Sequence, residues 1–280
     1  MSTPTTLVIG STGKTGSRIV QRLEAIGPAV RRGSRSAALP FDWADRTTWA
    51  PALAGVEHVY VAYSPDLAAP GGVDAIRELT SMALAANVRR VVLLSGRGEP
   101  ASQACERIVL ESGIPQPTVV RASWFAQNFS EGAFLPLVQN GAITLPADPQ
   151  AREPFVDIDD LADVAVAALT QEGHAGRIYE VTGPRLLSWT EVAAELAAAS
   201  GREVHFAQIP ADDFRAALAA VAGPDEAALI TMLVTELMDG RNAHLATGVR
   251  DALGREPRDF RDFARDAAAR GVWSHAGARP

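Results

Sequence analysis

Through the first half of the chain, short continuous apolar runs alternate with stretches whose apolar residues recur at helical spacing. The runs place strands near 6–10, 28–32, 57–62, 90–95 and 117–121, with a short one near 39–42. Helical periodicity falls at 14–26, 46–53, 72–86 and 101–112. The run Val91-Val92-Leu93-Leu94 shows no polar alternation, as a strand covered on both faces should. Strand and helix alternating in this way predict repeated βαβ units, hence an α/β fold with an open, doubly wound parallel sheet. A helix at 159–169, opened by Asp157-Ile-Asp159-Asp160, and a strand at 177–181 complete the same layered domain.

The remainder has another texture. Residues 130–153 are punctuated by Pro and Gly, and from Ser188 the chain is mostly helical and alanine-rich, broken by a strand near 203–209. Ser188-Trp-Thr-Glu191 has the spacing of a capping box. The expected division is therefore 1–129 plus 154–182 as the layered domain, and 130–153 plus 183–280 as a smaller, mostly helical lobe. In open α/β folds ligands bind beyond the carboxyl ends of the strands, and the lobe is expected to lean over that edge. The last residues, His275 to Pro280, are expected to fray.

One turn carries the first chemistry. After the apolar run Leu7-Val8-Ile9 comes Gly10-Ser-Thr-Gly13-Lys14-Thr-Gly16, and a helix with Ile19, Val20 and Leu23 on one face follows. Strand, glycine turn and helix together form a dinucleotide-phosphate cradle of the Rossmann type. Gly10 permits the tight turn, Gly13 lets the backbone approach a pyrophosphate, and Gly16 lets the helix pack closely. The helix N-terminus turns its N–H groups and positive end to the phosphates, with Thr12, Lys14 and Thr15 as further contacts. An ATP-type P-loop is excluded, because the position five before Gly13 is Val8 and not glycine.

The second strand sets the choice of dinucleotide. An NAD site usually ends this strand with an acid that holds the ribose hydroxyls. Here the sequence reads Val30-Arg31-Arg32-Gly33-Ser34-Arg35, with no acid. Arginine and serine suit a 2′-phosphate, so NADP(H) is the expected cofactor, with Arg35 as the principal contact and Ser34 and Arg32 in support. Asp42 and Trp43 are placed at the adenine, although Trp43 could equally be core.

Charge and composition narrow the partners. The net charge is −7, with no basic face for nucleic acid. No apolar run is long enough to span a bilayer, and the first residues carry no signal-peptide pattern. Cys105 is the lone cysteine, which suits a reducing compartment, and no pair of the five histidines has metal-ligand spacing. The expectation is a cytoplasmic, monomeric protein with a small-molecule partner and no metal.

Further segments add to the glycine turn: Leu93-Leu94-Ser95-Gly96, Val120-Arg121-Ala-Ser-Trp-Phe-Ala-Gln-Asn128-Phe, Glu153-Pro-Phe155-Val-Asp157-Ile-Asp-Asp160-Leu-Ala and Tyr179-Glu-Val-Thr-Gly183-Pro. In this order and spacing they resemble the atypical short-chain dehydrogenase/reductases of the NmrA-like branch, over nearly the whole chain. The resemblance implies that Tyr63, Ser64, Ser95 and Gly96 border the reactive end of the cofactor. It also implies that Ala122, Ser123, Trp124 and Phe125 contact the nicotinamide.

The better-known members of that superfamily use a serine with a Tyr-x-x-x-Lys pair as proton relay. Here Lys14, the only lysine, lies in the phosphate turn, and the tyrosines are Tyr60, Tyr63 and Tyr179. None lies on the helix after Ser95, which carries Ser102, Gln103 and Glu106 instead. Two readings stay open. One is a reductase that takes its proton from substrate or solvent, with Ser95 as a possible but dispensable catalytic group. The other is a non-catalytic NADP(H) sensor that binds a protein partner. The aromatic segment favours the first, with Trp124, Phe125, Asn128 and Phe129 as substrate contacts and Phe134, Met232 and Met238 beyond them. The resemblance extends to angucyclinone-tailoring ketoreductases of aromatic polyketide antibiotics, and imine and quinone reductases of the same branch are the alternatives.

Overall fold

Why the apolar runs become strands is plain from their burial: Leu7, Val8, Ile9, Val92 and Leu93 are wholly enclosed. The computed structural model describes residues 4–274. The segment His275 to Pro280, expected to fray, lies outside the described residues. In chain order the first elements are β1 (Thr5–Ile9), α1 (Lys14–Ile26), β2 (Ala29–Gly33), α2 (Trp49–Leu53), β3 (His58–Val61), α3 (Gly72–Ala85), β4 (Arg90–Gly96), α4 (Pro100–Leu110) and β5 (Gln116–Ala122). Then come α5 (Asn128–Glu131), α6 (Leu135–Gln139), β6 (Ala142–Leu145), β7 (Arg152–Glu153), α7 (Ile158–Thr170), β8 (Arg177–Val181) and β9 (Leu187–Ser188). The chain ends through α8 (Trp189–Ser200), β10 (His205–Gln208), α9 (Ala211–Ala222), α10 (Pro224–Leu237), α11 (Gly248–Leu253) and α12 (Phe260–Ala269).

The chain forms two compact units. The first comprises the chain up to Ala122, Ile158–Val181 and Thr247–Arg255. Its six strands are parallel in the order β2-β1-β3-β4-β5-β8. Helices α3 and α4 pack together, as do α1 and α7. The chain leaves β1 for β2 and returns to pair β3 on the other side of β1, so the topological switch lies between β1 and β3. The short strand expected near 39–42 does not form: Asp42 makes one isolated bridge to Asp45, and Phe41 is core through its rings. The helix expected over 46–53 is a single 3-10 turn at Arg46–Thr48 followed by α2.

The second unit holds Ser123–Asp157, Thr182–Ala246 and the chain from Glu256 on. Ser123–Phe129, Pro154–Asp157, Thr182 and Thr247–Arg255 thus group differently from the division read in the sequence. The first two segments pair with each other, the amide of Ala126 donating to Val156 O (2.9 Å) and that of Val156 to Trp124 O (2.9 Å), while α11 packs on α7 and β8. The core of this unit is aromatic. Phe129 is fully buried, with the rings of Phe134, Phe155, Phe260 and Trp189 all within 6.3 Å, centre to centre. Helix α8 opens with the expected capping box, Ser188 Oγ accepting from the Glu191 amide (3.2 Å) and Glu191 Oε2 from the Ser188 amide (2.8 Å). Among the described residues no helix is long and apolar enough to cross a membrane.

Phe129 stands at the centre of this cluster, so Phe129→Ala leaves a cavity that its rigid neighbours cannot close. The expected loss is about 3–5 kcal/mol of stability, read as a lower urea midpoint. An unchanged midpoint would show that the ring carries no packing role.

Candidate active site

The glycine turn is built from backbone. Gly10 adopts φ +77°, a conformation other residues rarely hold. Its amide and that of Ser11 both donate to Gly33 O (2.9 and 3.2 Å), which ties the turn to the end of β2. A Cβ at Gly16 would stand 2.1 Å from Gly10 O, so only glycine lets α1 begin this close to the turn. Gly13 is different: an added Cβ would meet only Gly10 O, at 3.3 Å, and both Gly13 and Thr12 face outward. Gly13 caps α1 without any side-chain hydrogen bond, so helix geometry leaves the first-turn amides without acceptors in their own helix. Ser11 Oγ is buried in this turn with no hydrogen-bond partner among the described residues. An orphaned hydroxyl, an outward glycine and an uncapped helix start fit a dinucleotide pyrophosphate. Thr15 is turned away, its hydroxyl accepting from buried Tyr60 (3.0 Å).

The arginines of β2 divide their tasks. Arg31 donates to Ala52 O and Ala54 O (2.8 and 2.7 Å), closing the end of α2. Arg32 pairs at the surface with Glu24 (2.7 Å), a contact of the kind that contributes little to stability. Arg35, just past β2, is exposed and makes no ion pair among the described residues. Ser34 anchors the loop, its carbonyl accepting from Ala37 and Phe41 (3.2 and 3.0 Å). Asp42 Oδ1 is taken by the Ala44 amide (3.0 Å). Trp43 is half-buried, with its ring 4.7 Å from Tyr63 and 5.5 Å from Trp49 and its indole N–H donated to Ala62 O (3.2 Å). Trp43 therefore does belong to a local aromatic cluster, in which it stays partly exposed.

At the ends of β4, β5 and β8 lies a ladder of charges that the sequence reading missed. Ser95 is buried and donates its hydroxyl proton to Glu106 Oε1 (2.6 Å). Arg121 grips both oxygens of Glu106 and reaches Glu180 Oε2 (3.2 Å), while Arg97 holds Glu180 Oε1 (2.7 Å). Burial pushes the Glu180 carboxyl up, but Arg97 and Arg121 outweigh it and hold it below its ordinary range. The bond to Glu106 raises the Arg121 guanidinium. Ser95 thus has its proton committed to a carboxylate, which makes it a poor acid.

Glu99 and Asp66 were also missed. Asp66 follows β3, and its Oδ1 accepts from the Ala68 amide (2.8 Å). Glu99, which follows β4, is 7% exposed and accepts from Ser102 Oγ. Burial first, then the charge on Asp66, pushes the Glu99 carboxyl up to about 7. The hydroxyls of two tyrosines are engaged, Tyr60 with Thr15 and Tyr179 with His174 Nδ1 (2.8 Å), while Tyr63 packs its ring on Trp43.

In the second unit, Ser123 Oγ donates to Pro154 O (2.6 Å) and so holds the backbone in place. Trp124 is half-buried against Phe134 (6.2 Å, 20° between planes), and Phe125 and Asn128 are also half-buried. Phe129, expected to meet substrate, is core instead, enclosed on every side by other rings. Met238 is core as well, while Met232 is half-buried.

Comparison with known proteins agrees with this architecture. The model of the NmrA-like family matches residues 103–251. The chain is 31% identical over 291 residues to agroclavine dehydrogenase of Claviceps fusiformis, covering 96% of this chain and 98% of that one. It is also 31% identical over 290 residues to the NAD(P)H azoreductase of Xenophilus azovorans, covering 94% and 98%. Among solved structures, the triphenylmethane reductase of Citrobacter sp. complexed with NADP(H) superposes with a TM-score of 0.79 at 17% identity, covering 94% of this chain and 99% of that one, a likeness of fold. Sheet order, glycine turn and sequence identity over almost its whole length together make the chain a member of the NmrA-like family.

Proposed function

We propose that the protein is an NADPH-dependent ketoreductase acting on a polycyclic aromatic natural product. The observation that carries the cofactor is the glycine turn, with the acid-free loop Ser34-Arg35 directly beyond the strand to which it is tied. Relatives named as a dehydrogenase and an azoreductase weigh for an oxidoreductase over a cofactor sensor.

In this reading the amides of the first turn of α1, with Ser11, Thr12 and Gly13, hold the pyrophosphate. Arg35 and Ser34 hold the 2′-phosphate, and Arg32 can join them by leaving Glu24 at small cost. Half-buried Trp43, beside Asp42, takes the adenine. Tyr63, Ser64, Ser95, Gly96 and Ala122 stand at the strand ends of the nicotinamide half. Trp124, Phe125 and Asn128 are the residues proposed to meet a flat, apolar substrate. Bound NADPH supplies a hydride, and this chain contributes orientation and exclusion of water.

The test is to follow NADPH absorbance with a panel of polycyclic aromatic ketones, with quinones, imines and azo compounds in parallel. Oxidation driven by the ketones supports the reading, whereas turnover of another class alone moves the substrate to that class. Binding of NADPH with no turnover of any compound favours the sensor. Arg35→Ala should weaken NADPH by about 10–100-fold, the loss of one or two charge-assisted hydrogen bonds, and leave NADH nearly unaffected. Equal loss for both cofactors, measured by fluorescence titration, would overturn the 2′-phosphate assignment. Ser95→Ala should lower turnover within about tenfold, since its proton already belongs to Glu106. A loss of a thousandfold or more would make the serine an essential acid.

A further inference from the structure

Glu99 is the N-cap residue of α4, where a carboxylate ordinarily accepts from the first-turn amides. It does not do so here: its side chain makes no capping hydrogen bond. Instead it folds back over the end of β4, so that a Cβ added at Gly96 would lie 2.2 Å from Oε1. Oε2 accepts from Ser102 Oγ, while Oε1 makes no hydrogen bond among the described residues. The carboxyl of this largely buried residue is thus held by one side-chain hydrogen bond from its own helix, with Oε1 beside Gly96 and left for a further partner. It stands at the carboxyl end of β4, two strands from β1 and its glycine turn, in the half of the sheet that receives the nicotinamide in such folds.

We propose that Glu99, through Oε1 over Gly96, is the proton donor of the reduction. This rests on the ketoreductase reading. The carbonyl carbon of the substrate accepts the hydride from NADPH, and the π pair moves to its oxygen. That oxygen forms a bond to the Glu99 proton as the O–H bond of the carboxyl breaks. The products are an alcohol, NADP+ and a Glu99 carboxylate, which regains its proton from water.

The surroundings keep such a donor protonated near neutral pH. Burial, Asp66 from the segment between β3 and α3, whose own carboxyl burial also pushes up, and Glu106 from α4 all oppose ionisation, against the hydrogen bond from Ser102. Cys105 of α4 lies among the same groups, its thiol pushed up to about 11 by burial, with Arg77 of α3 beside it. The remaining charges of these strand ends, Arg97, Arg121 and Glu180, are engaged with one another and with Glu106. The acid form is the active one, so turnover falls as pH rises through about 7.

The experiment compares wild type with Glu99→Gln by pH–rate profile, by NADPH affinity, and by infrared titration of the protonated carboxyl band in the cofactor-free protein. The expected result is a loss of roughly 10²–10⁴ in turnover for Glu99→Gln. The alkaline limb should vanish, NADPH affinity stay unchanged, and a band titrating near neutrality in wild type be missing from the variant. Should Glu99→Gln not fold, Glu99→Asp, which draws the oxygens back from Gly96, is expected to lose turnover and keep the alkaline limb. Wild-type turnover and an unchanged profile in either variant would overturn the proposal, as would a carboxyl band titrating in the ordinary glutamate range. Absence of ketone turnover in wild type itself overturns the ketoreductase reading and the donor role with it, while the carboxyl titration still stands as a property of the free protein.

Discussion

Glu106 is 2% exposed beneath the ends of β4 and β5, and its carboxyl is tolerated there because Arg121 grips both of its oxygens and Ser95 donates to one. The rest of the edge follows from that pair. Arg121 spans β5 to α4 and reaches across to Glu180 on β8, and Arg97 ties Glu180 to the end of β4. Three neighbouring strands therefore end in one ionic ladder, which fixes the strand ends more firmly than loops alone would. The ladder also absorbs the hydroxyl of Ser95, which donates to Glu106. Proton chemistry then falls to the next acid along the chain, whose ionisation Glu106 itself opposes.

The other end of the sheet works by close backbone approach. Gly16 brings α1 against Gly10, and Gly33 O receives two amides of the turn. No charge is spent in forming it. Helix geometry gives the first-turn amides no acceptor within α1, and Gly13 offers no side-chain cap. The first unit thus has a neutral backbone cradle on one side of its switch point and a dense set of paired charges on the other.

Much of this is legible in the order of residues. Strands whose side chains are all apolar, such as Val91-Val92-Leu93, can only be interior, and the glycine spacing dictates the turn. The short strand near 39–42 misleads because Phe41 satisfies its hydrophobicity through Trp43 and Trp49 instead of a sheet partner. Phe129 misleads in the opposite direction: its position after β5 suggests an accessible ring, but Trp189 and Phe260, distant in sequence, close over it. Glu99 is hidden by its context, since an acid before Pro100 reads as an ordinary helix start. Only the fold reveals that the carboxyl points back to Gly96. Arg121 stands in plain view within an apolar strand, yet its partners lie on α4 and β8, and no local pattern announces them.

The division of labour among the arginines of β2 bears on how this chain can change over generations. Arg31 closes a helix and cannot be exchanged without loosening it, but Arg35 supports nothing in the protein's own frame. On the proposed 2′-phosphate contact, change at position 35 leaves the fold untouched and is felt only through the ligand. On that same proposal, a lineage built on this scaffold revises its preference among dinucleotides by single steps, while the turn beside it stays under strict constraint.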